Sequence, residues 1–473
     1  MSNIPYAMTI DGQRVFATEV ATAINPATET PICDYPLGTR KQLDAAVESS
    51  HRAFLGWRVT DLRERQQMVS KLGDVIEHNY EAFIRLLITE QGKGRAAAEW
   101  EIGGSIHWLR EIAKQSLQEE VVEDKDGNRI ITRYTPIGVI GAITPWNFPL
   151  LLAVWKIAPA LVAGNTMVVK PSPYTPLCTL WFGELAQSVL PPGVLNVVSG
   201  GNELGQWMTE HPDIGKIAFT GSTDTGKKVM QSASINLKRV TLELGGNDPA
   251  IVLPDVDPKK IAKDLFWASF ANSSQFCVAC KRLYIHEDVY DDVARELVAY
   301  AKTVKVGNGI DVGVELGPLQ NKMQYEKVCN LLQDCKDRGL KFLLGGEVSH
   351  GTPGYFIPVT LIDNPPEDSR CVVEEAFGPV LPLLKYRDID EVVARANATI
   401  YGLAASVWGQ DTVKAEKIAQ RIEAGTVWIN QIHTFAPNIA FGGHKQSGVG
   451  IENSLHGLAE YANTQTMMRK ALA

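Results

Sequence analysis

The sequence predicts an α/β protein, a parallel sheet covered by helices on both faces and followed by a second unit of the same class. Three observations predict it. The chain has 473 residues, 45% hydrophobic and 21% charged, and at roughly 150 residues per domain that suggests about three globular units. From residue 138 onward, short β-branched runs alternate with helix-length segments. Each run closes on Gly or Pro, the punctuation expected where a buried strand feeds a helix.

In order, GVIGAITP from Gly138 reads as a strand, LLLAVWKIAPALVAG as a helix, TMVVKPS as a strand and TPLCTLWFGELAQSV as a helix. VLNVVSG (strand), LGQWMTEHP (helix), KIAFTGS (strand), TGKKVMQSA (helix) and KRVTLELGG (strand) complete the unit. Sheets of this kind bind ligands at the carboxyl ends of their strands, and those ends carry Asn147, Lys170, Gly200, Gly221 and Glu243. Upstream, residues 41–118 read as amphipathic helices, among them RKQLDAAVESSHRAFLGW and LRERQQMVSKLGDVIEHNYEAFIRLLITEQG, expected to pack on this unit. Residues 119–135, EEVVEDKDGNRIITRYT, set the turn residues Asp126, Gly127 and Asn128 between two alternating runs. A lone hairpin is marginal in water, so it is expected to add to another sheet or subunit. After Gly246 the alternation resumes through residue 430 and predicts a second α/β unit.

The formal charge is −8 and no Lys/Arg-rich run occurs, so no basic face is available to a phosphate backbone and nucleic acid is not an expected partner. The amino-terminal MSNIPYAMTIDGQRV has no basic segment followed by an apolar run, so a secretory signal is not expected. PLLLAVWKIAPALVAG, the longest apolar stretch, is broken by Lys156 and two prolines and falls short of a bilayer span, so no membrane association is expected. Seven cysteines, an odd number scattered along the chain, favour reduced thiols and a cytoplasmic location.

FANSSQFCVACKR, residues 270–282, contains a C-x-x-C made by Cys277 and Cys280. A structural zinc would need two more ligands, and no second C-x-x-C, C-x-x-H or H-x3-H exists, so no metal is expected. A redox pair is expected at the start of a helix that follows a strand. A single reactive thiol fits the polar residues before it, Asn272, Ser273, Ser274 and Gln275, which are poor core material; an ordinary cysteine fits the composition as well. GSTDTGKK, residues 221–228, matches the phosphate-loop pattern except that Lys228 replaces the Ser or Thr that should ligate magnesium. It leaves open a nucleotide-binding, kinase-like protein. Without the last position, what remains is a strand, two glycines and a helix start, where backbone N–H groups can meet a pyrophosphate.

TPWNFPLLLAVWKIAPALVAGNTMVVKPS, KIAFTGSTDTGKKV, VTLELGG, FANSSQFC, EEAFGPVLPL, YGLAASVW, AGTVWIN and FGGHKQSGVGIENSLHGL occur in the order and approximate spacing of the aldehyde dehydrogenase superfamily. With INPATETPI at residues 24–32, the resemblance covers nearly the whole chain. It implies a Rossmann-like nucleotide-binding domain at 1–118 and 136–246, an α/β catalytic domain at 247–448, and a small β oligomerisation element at 119–135 and 449–473. It also implies a homodimer or homotetramer that oxidises a small-molecule aldehyde to a carboxylate with NAD or NADP.

Residue by residue, FANSSQFC resembles the family's F-x-N-x-G-Q-x-C, which makes Cys277 the nucleophile and Cys280 a bystander. Ser274 stands at the glycine position, so this loop is expected to be less free to adopt positive φ. Asn147 resembles the oxyanion asparagine, acting with the backbone N–H of Cys277, and Glu243 resembles the general base that activates water for thioester hydrolysis. Lys170, Ser172, Gly221, Ser222, Trp146, Glu375 and Phe377 resemble cofactor-binding residues, and Lys156 with Glu452 a proton relay. Leu151, Trp155, Phe276, Val278, His433 and Phe435 are similar to the substrate pocket. Two departures stand out, Ile451 where relatives commonly have Arg, and Pro173 where they commonly have Glu. Within the family a coenzyme A acylating enzyme is the alternative, disfavoured by Glu243; a non-catalytic descendant is disfavoured by the presence of Cys277, Asn147 and Glu243 together.

Overall fold

The structure is a computed structural model that describes residues 6–125, 127–349 and 351–470. The fold is α/β with mixed sheets. The runs read as strands after residue 138 form Val139–Ile143, Thr166–Lys170, Leu195–Val197, Lys216–Thr220 and Arg239–Glu243, all parallel to one another. Across the sheet they run Arg239–Glu243, Lys216–Thr220, Val139–Ile143, Thr166–Lys170, Leu195–Val197. The direction of winding therefore reverses beside Val139–Ile143, and it is at the carboxyl ends beside such a reversal that open α/β sheets have a crevice for a ligand. Met8–Ile10 and Gln13–Val15 extend one edge and Gly448–Val449 the other, all three antiparallel.

The amphipathic segments upstream are helices. Arg40–Trp57 begins at a capping box in which Thr39 and Gln42 satisfy each other's backbone N–H groups. LRERQQMVSKLGDVIEHNYEAFIRLLITEQG is two helices, Leu62–His78 and Tyr80–Gln91, because Asn79 leaves the helical region at φ −112 and ψ 19. Its side chain turns back to donate to the Val75 carbonyl, the competition with the backbone that makes asparagine a helix terminator. Gly92 then closes the second helix at φ 93.

A second sheet takes the order Phe342–Leu344, Thr360–Asp363, Val380–Tyr386, Cys280–His286, Asp248–Val252, Ala404–Trp408, Thr426–Ile429. All its pairs are parallel except Phe342–Leu344 with Thr360–Asp363. The chain passes from the first sheet to the second through Leu244–Gly245–Gly246–Asn247, so Glu243 ends one sheet just before Asp248 begins the other.

The hairpin does not stand alone. Glu120–Lys125 pairs with Asn128–Pro136, which pairs on its other side with the nine-residue strand Ala462–Lys470. Asp126, expected in its turn, lies outside the described residues, as do residues 1–5 and 471–473 of the expected outer units. Among the described residues, no helix is long and apolar enough to cross a membrane, and no group of three or more His, Cys, Asp or Glu is placed to hold a metal ion.

Candidate active site

The Cys277 loop leaves helix Pro258–Phe270 and enters strand Cys280–His286. Three consecutive side chains here have positive φ: Asn272 at 52, Ser273 at 55 and Ser274 at 60. The expectation that Ser274 would restrict the loop is corrected. The conformation forms without glycine because each residue gains a buried hydrogen bond that offsets the strain. Ser274 Oγ donates to Ser269 O at 2.6 Å and Ser273 Oγ to Gly317 O at 2.7 Å. Asn272 Nδ2 reaches both Asn147 O and Gln275 O at 3.2 Å. Gln275 locks the other end, donating to Asn272 O and Pro318 O and accepting from Gln320 N.

This loop separates the two thiols of the C-x-x-C. Cys280 is 3% exposed in the core behind the second sheet, and its thiol donates to Arg282 O. Cys277 sits half-buried at the edge of the other core, in a turn before a strand rather than at a helix start. All seven cysteines are free.

Asn147 is buried, and its Nδ2 donates to Gln275 O at 3.1 Å, which brings the carboxamide against the Cys277 loop. Its main chain is fixed by residues the sequence reading missed. Lys93 Nζ donates to Asn147 O at 2.9 Å and to Glu101 Oε2 at 2.5 Å, while Glu101 Oε1 accepts from Leu150 N and Leu151 N. The Lys93–Glu101 pair is completely buried, and the ammonium lies 4.0 Å from the centroid of Phe148. The legible signal was a lysine between two glycines, Gly92 and Gly94, followed by an acid on a helix whose buried face it shares.

Glu243 has a rigid backbone, its carbonyl accepting from Gly221 N and its strand flanked on both sides. The side chain is buried, and among the described residues neither carboxyl oxygen has a hydrogen-bond partner. Burial, then the nearby Glu452, pushes its carboxyl well above the usual carboxylate range, while Lys156 pulls it down. Lys156 and Glu452 form a 2.6 Å pair, each 1% exposed. Burial pushes the Cys277 thiol up to about 12; Lys281 opposes this and Glu243, Asp248 and Glu375 add to it. Burial thus favours the neutral form of both Cys277 and Glu243.

At the crevice, Lys170 is buried and its Nζ makes one 3.3 Å contact, to Pro171 O; no carboxylate pairs with it among the described residues. Burial pushes it down to about 8. Ser172 is buried beside it, its Oγ accepting from Tyr174 N. Gly221 and Ser222 precede helix Thr223–Ala233, which Ser222 caps. In GSTDTGKK the helix therefore begins two residues after Gly221, and Gly226 is a packing glycine on which a Cβ would sit 2.4 Å from Leu244. Lys228 is exposed on that helix, so the segment is not the open loop a kinase-like reading requires. Trp146 and Phe377 meet edge to face at 5.3 Å, and Glu375 accepts from Gly246 N.

The expected pocket residues gather around Phe276. His433 stacks on it at 4.5 Å, Phe435 lies at 6.1 Å, and Trp155 meets Phe435 edge-on. Phe148, Trp100 and Trp428, absent from the sequence reading, complete the aromatic wall. His433 donates its Nε2–H to Val278 O at 3.3 Å, and burial pushes it down to about 4, so the imidazole is neutral. Val278 is fully buried, and Leu151 is buried one helical turn before Trp155.

Two wound sheets with a thiol, a carboxyl and a carboxamide between their facing ends define an α/β enzyme. Residues 16–467 match the model of the aldehyde dehydrogenase family. The chain is 39% identical over 481 residues to phenylacetaldehyde dehydrogenase of Pseudomonas fluorescens, covering 98% of this chain and 96% of that protein. It is 41% identical over 455 residues to retinaldehyde dehydrogenase 3 of Homo sapiens, covering 94% and 89%. The NAD+ complex of an aldehyde dehydrogenase from Bacillus cereus matches at a TM-score of 0.96 and 35% identity, over 99% of this chain and 97% of that one. Betaine aldehyde dehydrogenase of Staphylococcus aureus in complex with NAD+ matches at 0.95 and 31%, over 99% and 95%. The chain belongs to the aldehyde dehydrogenase family.

Proposed function

We propose that the protein oxidises an aldehyde to a carboxylate with NAD or NADP, through a thiohemiacetal and a thioester on Cys277 that a Glu243-activated water hydrolyses. The observation that carries this reading is Glu243, a buried carboxyl whose two oxygens have no partner among the described residues, a costly arrangement that a structural role does not explain. Cys277 loses its thiol proton to solvent, its Sγ bonds to the aldehyde carbon as the carbonyl π pair moves to oxygen, and the resulting oxyanion is met by Asn147 Nδ2 and the Cys277 N–H. The Lys156–Glu452 pair beside Glu243 is suited to take up its proton. When bound, the nicotinamide supplies the hydride acceptor that converts thiohemiacetal to thioester.

The residues fit that cofactor. Lys170 is a buried cation with no carboxylate partner among the described residues, available to an adenosine ribose or its phosphate, and Ser172 lies next to it. Gly221 and Ser222 offer a helix N-terminus to the pyrophosphate, and Trp146, Glu375 and Phe377 would hold the nicotinamide end. Pro173 provides no carboxylate against a 2′-phosphate, which supports use of NADP as well as NAD. An aromatic wall with a neutral His433 suits an apolar or aryl aldehyde better than a semialdehyde bearing a carboxylate. Two relatives are named for such apolar aldehydes, phenylacetaldehyde and retinaldehyde.

Release of the acyl group to coenzyme A is the alternative fate, and an unpartnered base beside the thiol favours water. Exposed Val121, Val122 and Met468 on the edge strands of the three-stranded sheet support assembly into a homodimer or homotetramer through that sheet. We place the protein in the cytoplasm from its seven free thiols. The test is a panel of aliphatic, aryl and semialdehyde substrates assayed by absorbance of reduced nicotinamide, with NAD and NADP in parallel and Cys277→Ser as control. Activity surviving in Cys277→Ser sinks the mechanism.

A further inference from the structure

Lys281 is the second residue of strand Cys280–His286, and its side chain is only 4% exposed. Its ammonium donates to Cys277 O at 2.5 Å and pairs with Glu375 Oε1 at 3.1 Å. It lies 6.0 Å from the centroid of the Phe377 ring. The same point is crowded by the turn that follows Glu243. A Cβ on Gly246 would stand 2.8 Å from Cys277 O and 2.7 Å from Asp248 Oδ1, and Gly246 N donates to Glu375 Oε1. Three segments thus converge on one cation: the nucleophile loop, the turn between the sheets, and the Glu375–Phe377 stretch. A buried ammonium is costly unless paired, and the mechanism above gives this one no task.

We propose that Lys281 is a positioning residue that ties the Cys277 main chain to Glu375 and whose positive charge favours the Cys277 thiolate. The proposal rests on Cys277 being the nucleophile. Among the described residues, the charged groups that act most on the thiol are Lys281, Glu243, Asp248 and Glu375. Glu243 and Asp248 are both pushed toward their neutral forms by burial, Asp248 up to about 7. Lys281 is therefore the cation set against what remains. Removing it disfavours the thiolate. Removing the charge of Glu375 favours it, because one anion is lost and Lys281 is released from its partner. Charge moves the two variants in opposite directions, whereas loosened packing moves both the same way.

The experiment is alkylation of Cys277 by iodoacetamide in the free, full-length enzyme, followed by peptide mass from about pH 7 to about pH 10. Lys281→Met is expected to slow alkylation about tenfold, Lys281→Arg to restore it to within about threefold of wild type, and Glu375→Gln to accelerate it several-fold. Wild-type rates in Lys281→Met, or slower alkylation in Glu375→Gln, overturn the proposal. Should Lys281→Met not fold, the Glu375→Gln arm decides alone. Aldehyde oxidation that survives complete alkylation of Cys277 overturns the nucleophile reading and the proposal with it. Inactivation whose rate ignores both charges overturns the proposal only.

Discussion

Asn147→Ala separates catalysis from architecture at this site, because the structure holds the main chain of Asn147 independently of its side chain. Lys93 Nζ and Asn272 Nδ2 both donate to Asn147 O, and Glu101 holds the N–H groups of Leu150 and Leu151. Truncation removes one hydrogen bond, from Nδ2 to Gln275 O at 3.1 Å. That carbonyl keeps its 3.2 Å bond from Asn272, so no buried acceptor is orphaned and the stability cost should stay near about 0.5–1.5 kcal/mol. Catalysis loses a donor aimed at developing charge, about 2.7–4 kcal/mol, or about 10²- to 10³-fold in rate. The two figures differ enough to be told apart. The assay is a stopped-flow single turnover that follows reduced nicotinamide, paired with urea denaturation of the same preparation. A burst at the wild-type rate removes Asn147 from the oxyanion site. A burst lost together with several kcal/mol of stability means that the side chain supports the fold instead.

Glu243→Gln should leave the single-turnover burst intact while the steady state collapses, with an acyl adduct accumulating on Cys277; a burst with no adduct by mass spectrometry argues against a hydrolytic base. Cys280→Ser should be nearly silent in activity, since its thiol faces the other core, and an inactive variant would reverse the reading of the C-x-x-C. Lys93→Met strands Glu101 as an unpaired buried acid and should cost about 3–5 kcal/mol in chemical denaturation; wild-type stability would show that the pair contributes nothing. Pro173→Glu should raise the KM for NADP selectively, because the new charge acts on a phosphate that NAD lacks, and strict NAD dependence of the wild type would refute the premise. Lys170 is pushed down to about 8 by burial, so its cation is lost as pH rises through that value. The KM for NADP should then climb above about pH 8 more steeply than that for NAD, and parallel profiles would exclude a phosphate contact.

The strands, helices and their order were legible because each obeys a local rule. A β-branched run ending in Gly or Pro needs no tertiary information, and the resemblance located Cys277, Asn147 and Glu243 from short motifs. What escaped was set by partners distant in sequence. The helical period gave no reason to break at Asn79, whose amide takes the Val75 carbonyl. Ser274 read as a restriction because its compensating bond to Ser269 O exists only in the folded loop. The partners that bury Lys93 and Glu101 lie in the loop at Asn147, more than forty residues away in sequence. Lys281 was nonetheless visible in principle. A Lys–Arg pair at the head of an otherwise apolar strand is an anomaly that burial of the strand turns into a demand for partners.

Burial holds neutral the two groups that the proposed mechanism needs charged, and the order of the chemistry makes that workable. A thiolate on Cys277 and a carboxylate on Glu243 each disfavour the other in the same low-dielectric space. The pocket therefore tolerates one of these anions far more readily than both. Attack requires the thiolate, whose proton passes to solvent, and a neutral Glu243 removes an opposing charge at that stage. Once the acyl group is attached the sulfur can no longer take a charge that opposes a Glu243 carboxylate; burial and Glu452 still oppose that carboxylate, and Lys156 favours it as it takes a proton from water. A carboxyl with conventional acidity would be charged throughout and would oppose the first step. Among the described residues neither Glu243 oxygen has a partner, an environment that suits the proposed role, silent during acylation and a base during hydrolysis.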